Sequence, residues 1–175
     1  MIRPFLLTAV IVTALAAGAA ASPVRVDRAD DGGVTFVYTP GPMARTPVDQ
    51  DGVPVWQIAF EGALTDAGPG EPGLPARTER ILLPPDGDYR LTFTTSGENR
   101  IEGARLFVAT PSGDAPHNGF APSVVTWDVQ TFRGRRLLIV SMRPALYDAD
   151  RSVLTTFERI DVRVEFSGSG RKPVS

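Results

Sequence analysis

Proline and glycine punctuation constrains this chain more than any other feature of its sequence, and it is plainest in Gly70–Pro85, Gly-Glu-Pro-Gly-Leu-Pro-Ala-Arg-Thr-Glu-Arg-Ile-Leu-Leu-Pro-Pro. Proline fixes φ and removes a backbone donor, so a single apolar run, Ile81-Leu82-Leu83, must be entered from a stiff extended approach and left at once. That is the signature of a short strand docked on a core, with Leu74-Pro75 acting as a side-chain plug followed by a fixed turn. The exit, Pro84-Pro85-Asp86-Gly87-Asp88, is a turn in which proline presets φ and Gly87 supplies the left-handed conformation. The same punctuation runs through the whole chain, which holds 16 prolines and 17 glycines in 175 residues. It suits a loop-rich β protein better than helices.

The N-terminus reads as an export signal. Met1–Arg3 is a short positive start, Phe5–Ala17 is apolar, and Ala19-Ala20-Ala21 is a small-residue site that places cleavage between Ala21 and Ser22. The apolar run is shorter than the roughly 20 residues that span a bilayer, so no stable membrane insertion is expected. The formal net charge of −2 offers no basic field for nucleic acid. With no cysteine, the chain has no disulfide, thiolate nucleophile or zinc–thiolate site, although an exported protein could hold disulfides. Burial of apolar surface must therefore supply the stability.

The expected strands of the mature chain are short. Val34–Tyr38 reads as the first, after a leading segment 22–33, and a polar link follows over Thr39–Gly52. Val53–Phe60 alternates imperfectly around Pro54, and Glu61–Pro69 reads as a loop. Tyr89–Thr95 alternates cleanly, the Ser96–Asn99 turn leads to Ile101, and Arg105–Ala109 reads as another strand. Thr110–Ser123 is a long loop containing the single histidine, His117. Val124–Phe132 is a strand, Arg133-Gly134-Arg135-Arg136 a tight basic turn, and Leu137–Met142 the most apolar strand, hence central and covered on both faces. Ile139→Asp is accordingly expected to unfold the domain. Ala145–Val153 reads as a connection carrying Tyr147, Asp148 and Asp150. Ile160, Val162, Val164 and Phe166 alternate with charged residues, the pattern of a half-buried strand. No segment after the signal keeps a helical apolar period for ten residues. The fold expected is therefore all-β, an antiparallel β-sandwich or jelly-roll-like single domain over 22–166, behind a signal peptide at 1–21 and before a flexible tail at 167–175.

Catalytic chemistry finds little support. A serine triad would need His117, and no serine stands in a strand-turn-helix elbow; Gly168-Ser169-Gly170 lies in the tail. One histidine cannot build a histidine-rich metal site, and Asp148 with Asp150 suits a turn. Asp49-Gln50-Asp51-Gly52 begins like a calcium loop, but Phe60 stands where the bidentate glutamate belongs, which leaves an Asp-Gly turn. No catalytic residue, metal or cofactor is assigned.

The order of landmarks resembles the propeptide domain of gingipain-type cysteine peptidases. The matching pieces are Gly70–Pro75, the Arg80–Pro84 strand, Arg133–Leu137, Met142-Arg143-Pro144-Ala145-Leu146-Tyr147 and the closing Ile160–Phe166 strand, which together span residues 70–166. This resemblance implies a non-catalytic β-sandwich that assists folding of an exported cysteine peptidase and keeps it latent until proteolysis. The implied partner is the peptidase catalytic domain, in cis where this chain is part of a longer one and otherwise in trans. Exposed arginine is then the natural inhibitory group, able to pair with a pocket carboxylate of an Arg- or Lys-specific peptidase. Arg100, just after the Ser96–Asn99 turn, is favoured over Arg133, Arg135 and Arg136, and the dibasic pair Arg171-Lys172 is the processing site expected in the tail. The alternative is a secreted adhesive or carbohydrate-binding β-sandwich that would use Trp56 and Trp127.

Overall fold

A computed structural model of the chain describes residues 22–66, 71–108 and 123–167. Ala21, His117, Arg171 and Lys172 lie outside these residues. Within them the chain forms strands β1 (Val24–Asp30), β2 (Gly33–Tyr38), β3 (Ala44–Gln50), β4 (Val53–Ala59), β5 (Leu64–Asp66), β6 (Leu74–Leu82) and β7 (Asp88–Ser96). It continues as β8 (Asn99–Glu102), β9 (Val125–Phe132), β10 (Arg135–Met142), β11 (Ala145–Asp148), β12 (Val153–Thr156) and β13 (Arg159–Ser167). All strand pairs are antiparallel. The all-β class expected from the punctuation is what forms, with more strands than the alternation reveals.

Two four-stranded sheets make the sandwich. The first runs β1-β2-β13-β7 and the second β5-β6-β10-β9. Between them, Phe36, Tyr38, Ile160, Val162 and Val164 meet Ile81, Leu138, Val140 and Met142 in one buried cluster. A second cluster packs Ile58, Phe60, Leu74, Ala104, Leu106, Ala145, Tyr147 and Leu154. It is assembled from the β3–β4 hairpin, the three-stranded sheet β11-β12-β8 and the N-terminal end of β6. Tyr147 closes it with a buried hydrogen bond from its hydroxyl to the Ala104 carbonyl at 3.0 Å.

Several expectations need correction, each for a physical reason. The leading segment is itself a strand, because β1 pairs with β2 through a shift between Val26 and Arg28 that breaks the period-two pattern. The polar link contains β3, whose Pro47 stands opposite Trp56 in a two-stranded hairpin, a place where a missing donor is tolerated. Leu64–Asp66 pairs with the start of β6, so Pro75 lies within a strand and not in a turn. Ala145–Val153 is mostly the β11–β12 hairpin. Arg105–Val108 makes only single bridges, Trp56 with Leu106 and Pro72 with Val108.

β10 is central, flanked by β6 and β9, but it is fully buried on one face only. Leu138, Val140 and Met142 are wholly enclosed, whereas Leu137, Ile139 and Ser141 turn to the half-exposed outer face. The acidic substitution that unfolds the domain is therefore Val140→Asp, not Ile139→Asp. A lone carboxylate in that core costs several kcal/mol, comparable with the about 5–15 kcal/mol that holds a small domain folded. In thermal melts we expect Val140→Asp to show no cooperative transition and Ile139→Asp to retain one.

Tyr38 offers a second test. Its side chain is fully buried and its hydroxyl has no hydrogen-bond partner. Burial pushes its pKa up to about 12, opposed in part by Arg77. Because the folded-state pKa exceeds the unfolded value, the neutral phenol contributes fully below pH 10, and stability falls as pH rises from 10 through 12. Tyr38→Phe removes an unpaired hydroxyl and should melt no lower than wild type at pH 7, with a gain of up to about 1 kcal/mol. The gain should widen above pH 10, as read by melting temperature across the alkaline range.

Candidate functional site

The expected site residues fall on three hairpins or turns, and the structure treats each differently. Arg100 sits in β8, opposite Thr155 of β12, and not in a projecting loop. Ile101 turns into the second core, so Arg100 points the other way, and it is exposed. The preceding turn is held rigidly. Gly97 has φ 67, and a Cβ there would lie 2.5 Å from the Glu158 side chain. The Glu158 amide donates to the Ser96 carbonyl at 3.1 Å. This turn carries the chain from the first sheet into the three-stranded one, and it fixes where Arg100 emerges.

The basic turn is a two-residue connection between β9 and β10, with Arg133 at φ 49 and Gly134 at φ 74, the type I′ geometry that suits the twist of a hairpin. Arg133 lies over the Phe132 ring, 5.2 Å from its centroid. Arg136 turns inward and donates from Nη1 to the Gly87 carbonyl at 2.9 Å, which ties the hairpin to the β6–β7 connection. Arg135 stays exposed. Of the cleavage pair, Ser22 is described and exposed.

The calcium-like segment is the two-residue turn of the β3–β4 hairpin. Asp51 and Gly52 have φ 54 and 79, and the Gly52 amide donates to Asp49 Oδ1 at 2.9 Å. The Gln50 amide clamps the backbone of Val108, donating to its carbonyl at 2.8 Å and accepting from its amide at 3.2 Å. Asp148 accepts from the Arg151 amide at 3.1 Å, as a turn residue does. Among the described residues no group of three or more histidine, cysteine or acidic side chains is placed to hold a metal ion. The two tryptophans share no platform. Trp56 packs on the second core beneath Arg45, whose guanidinium lies 4.9 Å from the ring centroid, while Trp127 is on edge strand β9.

What the alternation analysis missed is a repeated Arg-x-acid spacing. Because residues two apart share a strand face, Arg25–Asp27, Arg28–Asp30, Arg159–Asp161 and Arg163–Glu165 form ion pairs of 2.6–2.7 Å along β1 and β13. They cover the outer face of the first sheet, opposite the face that buries Ile160, Val162 and Val164. The pairs also sense one another across β2. Hydrogen bonding to Arg159 holds the Asp161 carboxyl below its usual value, with a smaller pull from Arg25, and Arg28 does the same for Asp30. At the open side of the sandwich an apolar cleft of about 460 Å³ lies between β1 and β6, with Val24, Val26, Phe36, Ile81 and Leu82 among its walls.

No family model matches the sequence, and no curated protein does. Solved structures do. A chain of the complex of Porphyromonas gingivalis RgpB pro- and mature domains superposes with a TM-score of 0.72 at 15% identity, over 84% of this chain and 86% of that one. The fold is shared with these gingipain chains. A structure described as insight into zymogenic latency of gingipain K, from the same organism, matches with a TM-score of 0.68 at 18% identity, over 87% of this chain and 96% of that one. The coverage is reciprocal, so the architecture is common to whole chains of about this size.

The ion-pair face predicts a measurable pH effect. The lowered Asp161 pKa means that its contribution is present above about pH 4 and is lost as pH falls below it. Exposed pairs contribute about 0–1 kcal/mol. Asp161→Asn should therefore melt slightly below wild type at pH 7 and indistinguishably from it near pH 2.5, provided both are still folded there.

Proposed function

We propose that this chain is a gingipain-type propeptide, a non-catalytic domain that assists folding of an exported cysteine peptidase and keeps it latent. The observation that carries the reading is the superposition on chains of gingipain pro-domain and zymogen structures over more than four fifths of this chain. The ordered landmarks of the sequence, from Gly70–Pro75 to Ile160–Phe166, support it independently. The carbohydrate-binding alternative is not favoured, since Trp56 is occupied by its own core and by Arg45 and makes no common surface with Trp127.

In this reading the first 21 residues direct export and are removed between Ala21 and Ser22, residues 22–166 are the inhibitory domain, and 167–175 are a tail that leads to the peptidase where the two share one chain. An inhibitory domain tethered to its enzyme acts at an effective concentration of order millimolar, so a modest interface suffices. Cleavage at Arg171-Lys172 turns it into a weak free ligand. Arg100 is the inhibitory residue we assign. It is exposed, forms no ion pair among the described residues, and is held on a paired strand beside the Gly97 turn, so its backbone needs no further ordering for the guanidinium to enter a carboxylate-lined pocket.

The test is to titrate residues 22–175 and their Arg100→Ala variant against the RgpB and gingipain K mature domains with small Arg and Lys substrates. We expect inhibition by the unmutated chain and an inhibition constant at least tenfold weaker for the variant, a loss of about 1.4 kcal/mol or more. Equal constants would remove Arg100 from the mechanism.

A further inference from the structure

The two outer faces of the sandwich are chemically unlike. On the first sheet every arginine of the four Arg-x-acid pairs has its own carboxylate, and Arg90 of β7 stands opposite Glu165. On the second sheet the register places Leu82 beside Leu137, and Arg80 and Asp128 on either side of Ile139. Phe132 joins them at the hairpin end, opposite Arg135. Leu82 and Phe132 are 53% and 59% exposed. Arg80, Arg133 and Arg135 take part in none of the ion pairs formed among the described residues.

This is the composition of a protein-binding patch, an apolar and aromatic centre with arginine around it and no lysine. The other end of the same face is already covered, since the second core packs against Leu74 at the start of β6. Among the described residues the hairpin end carries the exposed apolar side chains of this face, Leu82 and Phe132. Leu82 also forms part of the apolar cleft between β1 and β6, so the patch continues into a recess that can receive a side chain.

We propose that this hairpin end of the second sheet is the docking surface for a separate folded domain with an apolar centre and an acidic rim, and, resting on the function proposed above, that the occupant is the peptidase catalytic domain. The charges oppose a second copy of this chain. Two such faces brought together by a two-fold axis would gather Arg80, Arg133 and Arg135 from both copies with Asp128 the one carboxylate among the paired outer-face positions named above, and like charges across an interface oppose binding. An acidic partner pairs them instead, and the outer face of the first sheet, with its arginines already facing carboxylates, stays in solvent.

Phe132→Ser and Arg80→Glu alter exposed side chains and should leave the melting temperature within a few degrees of wild type. With the RgpB and gingipain K mature domains as probes, we expect each variant to bind at least tenfold more weakly than the unmutated chain, and Arg163→Ala, on the opposite face, to bind within twofold of it. In analytical ultracentrifugation the unmutated chain should sediment as a monomer. If the unmutated chain binds a mature domain and both variants bind it equally well, the docking surface is wrong while the proposed function stands. If the unmutated chain binds neither domain, the proposed function fails and this surface assignment with it. A concentration-dependent dimer that Phe132→Ser abolishes would make a second copy the occupant and overturn the proposal.

Discussion

The structure depends on one strand that serves two cores. Leu74 and Ile81 are seven residues apart in β6, an odd separation, so their side chains leave opposite faces of the strand. Leu74 is enclosed by the second cluster and Ile81 by the sandwich. Each fully buried side chain of this size stabilises by about 1.5–3 kcal/mol, and here the two contributions are joined by one rigid backbone. The approach and exit are fixed as well. The Gly73 amide donates to the Phe107 carbonyl at 3.1 Å, and the Leu83 amide to the Arg136 carbonyl at 3.0 Å. Prolines at 72, 75, 84 and 85 limit the other conformations this segment could take when unfolded.

Much of this was legible in the sequence, and the parts that were not share a cause. β7 and β13 alternate in sequence because one face turns to a partner sheet, β9 and β10 are rich in apolar residues, and that is where the reading of strands succeeds. β1 and β3 are edge strands. One carries a register shift and the other a proline, and both are mostly exposed, so neither shows an apolar period. Ile139 illustrates the remaining gap. An unbroken run such as Leu137–Val140 does not say which parity faces inward, and only the pairing with β6 and β9 decides it. Arg100 is exposed beside a turn, but its membership of β8 is hidden in the sequence because four residues are too few to show alternation. The Arg-x-acid spacing, by contrast, was fully visible and needed only the strand geometry to be read as ion pairs.

The same asymmetry organises the functional account. A domain that must recognise one partner and be released from it needs a face that is not satisfied internally and another that is. The first sheet pairs its arginines with carboxylates and holds Val37 buried beneath them, whereas the second exposes Leu82 and Phe132 beside three arginines that form no ion pair among the described residues. Arg100 lies apart, on the small third sheet that closes the second core. In the function proposed above, latency would combine a broad contact that sets position with one cationic side chain that fills a pocket, and neither would require chemistry from this chain.

If β6 truly couples the cores, they must unfold together. Trp56 packs on the second core and Trp127 lies on β9, whose Val125 and Val129 pack in the sandwich, so single-tryptophan variants made by replacing the other with phenylalanine report on each separately. Denaturant unfolding followed by fluorescence and by far-UV circular dichroism should give coincident transitions within each variant. Loss of the Trp56 signal at a denaturant concentration where circular dichroism still reports the native sandwich would show that the second core is an independent unit, and that β6 does not hold the domain as one body.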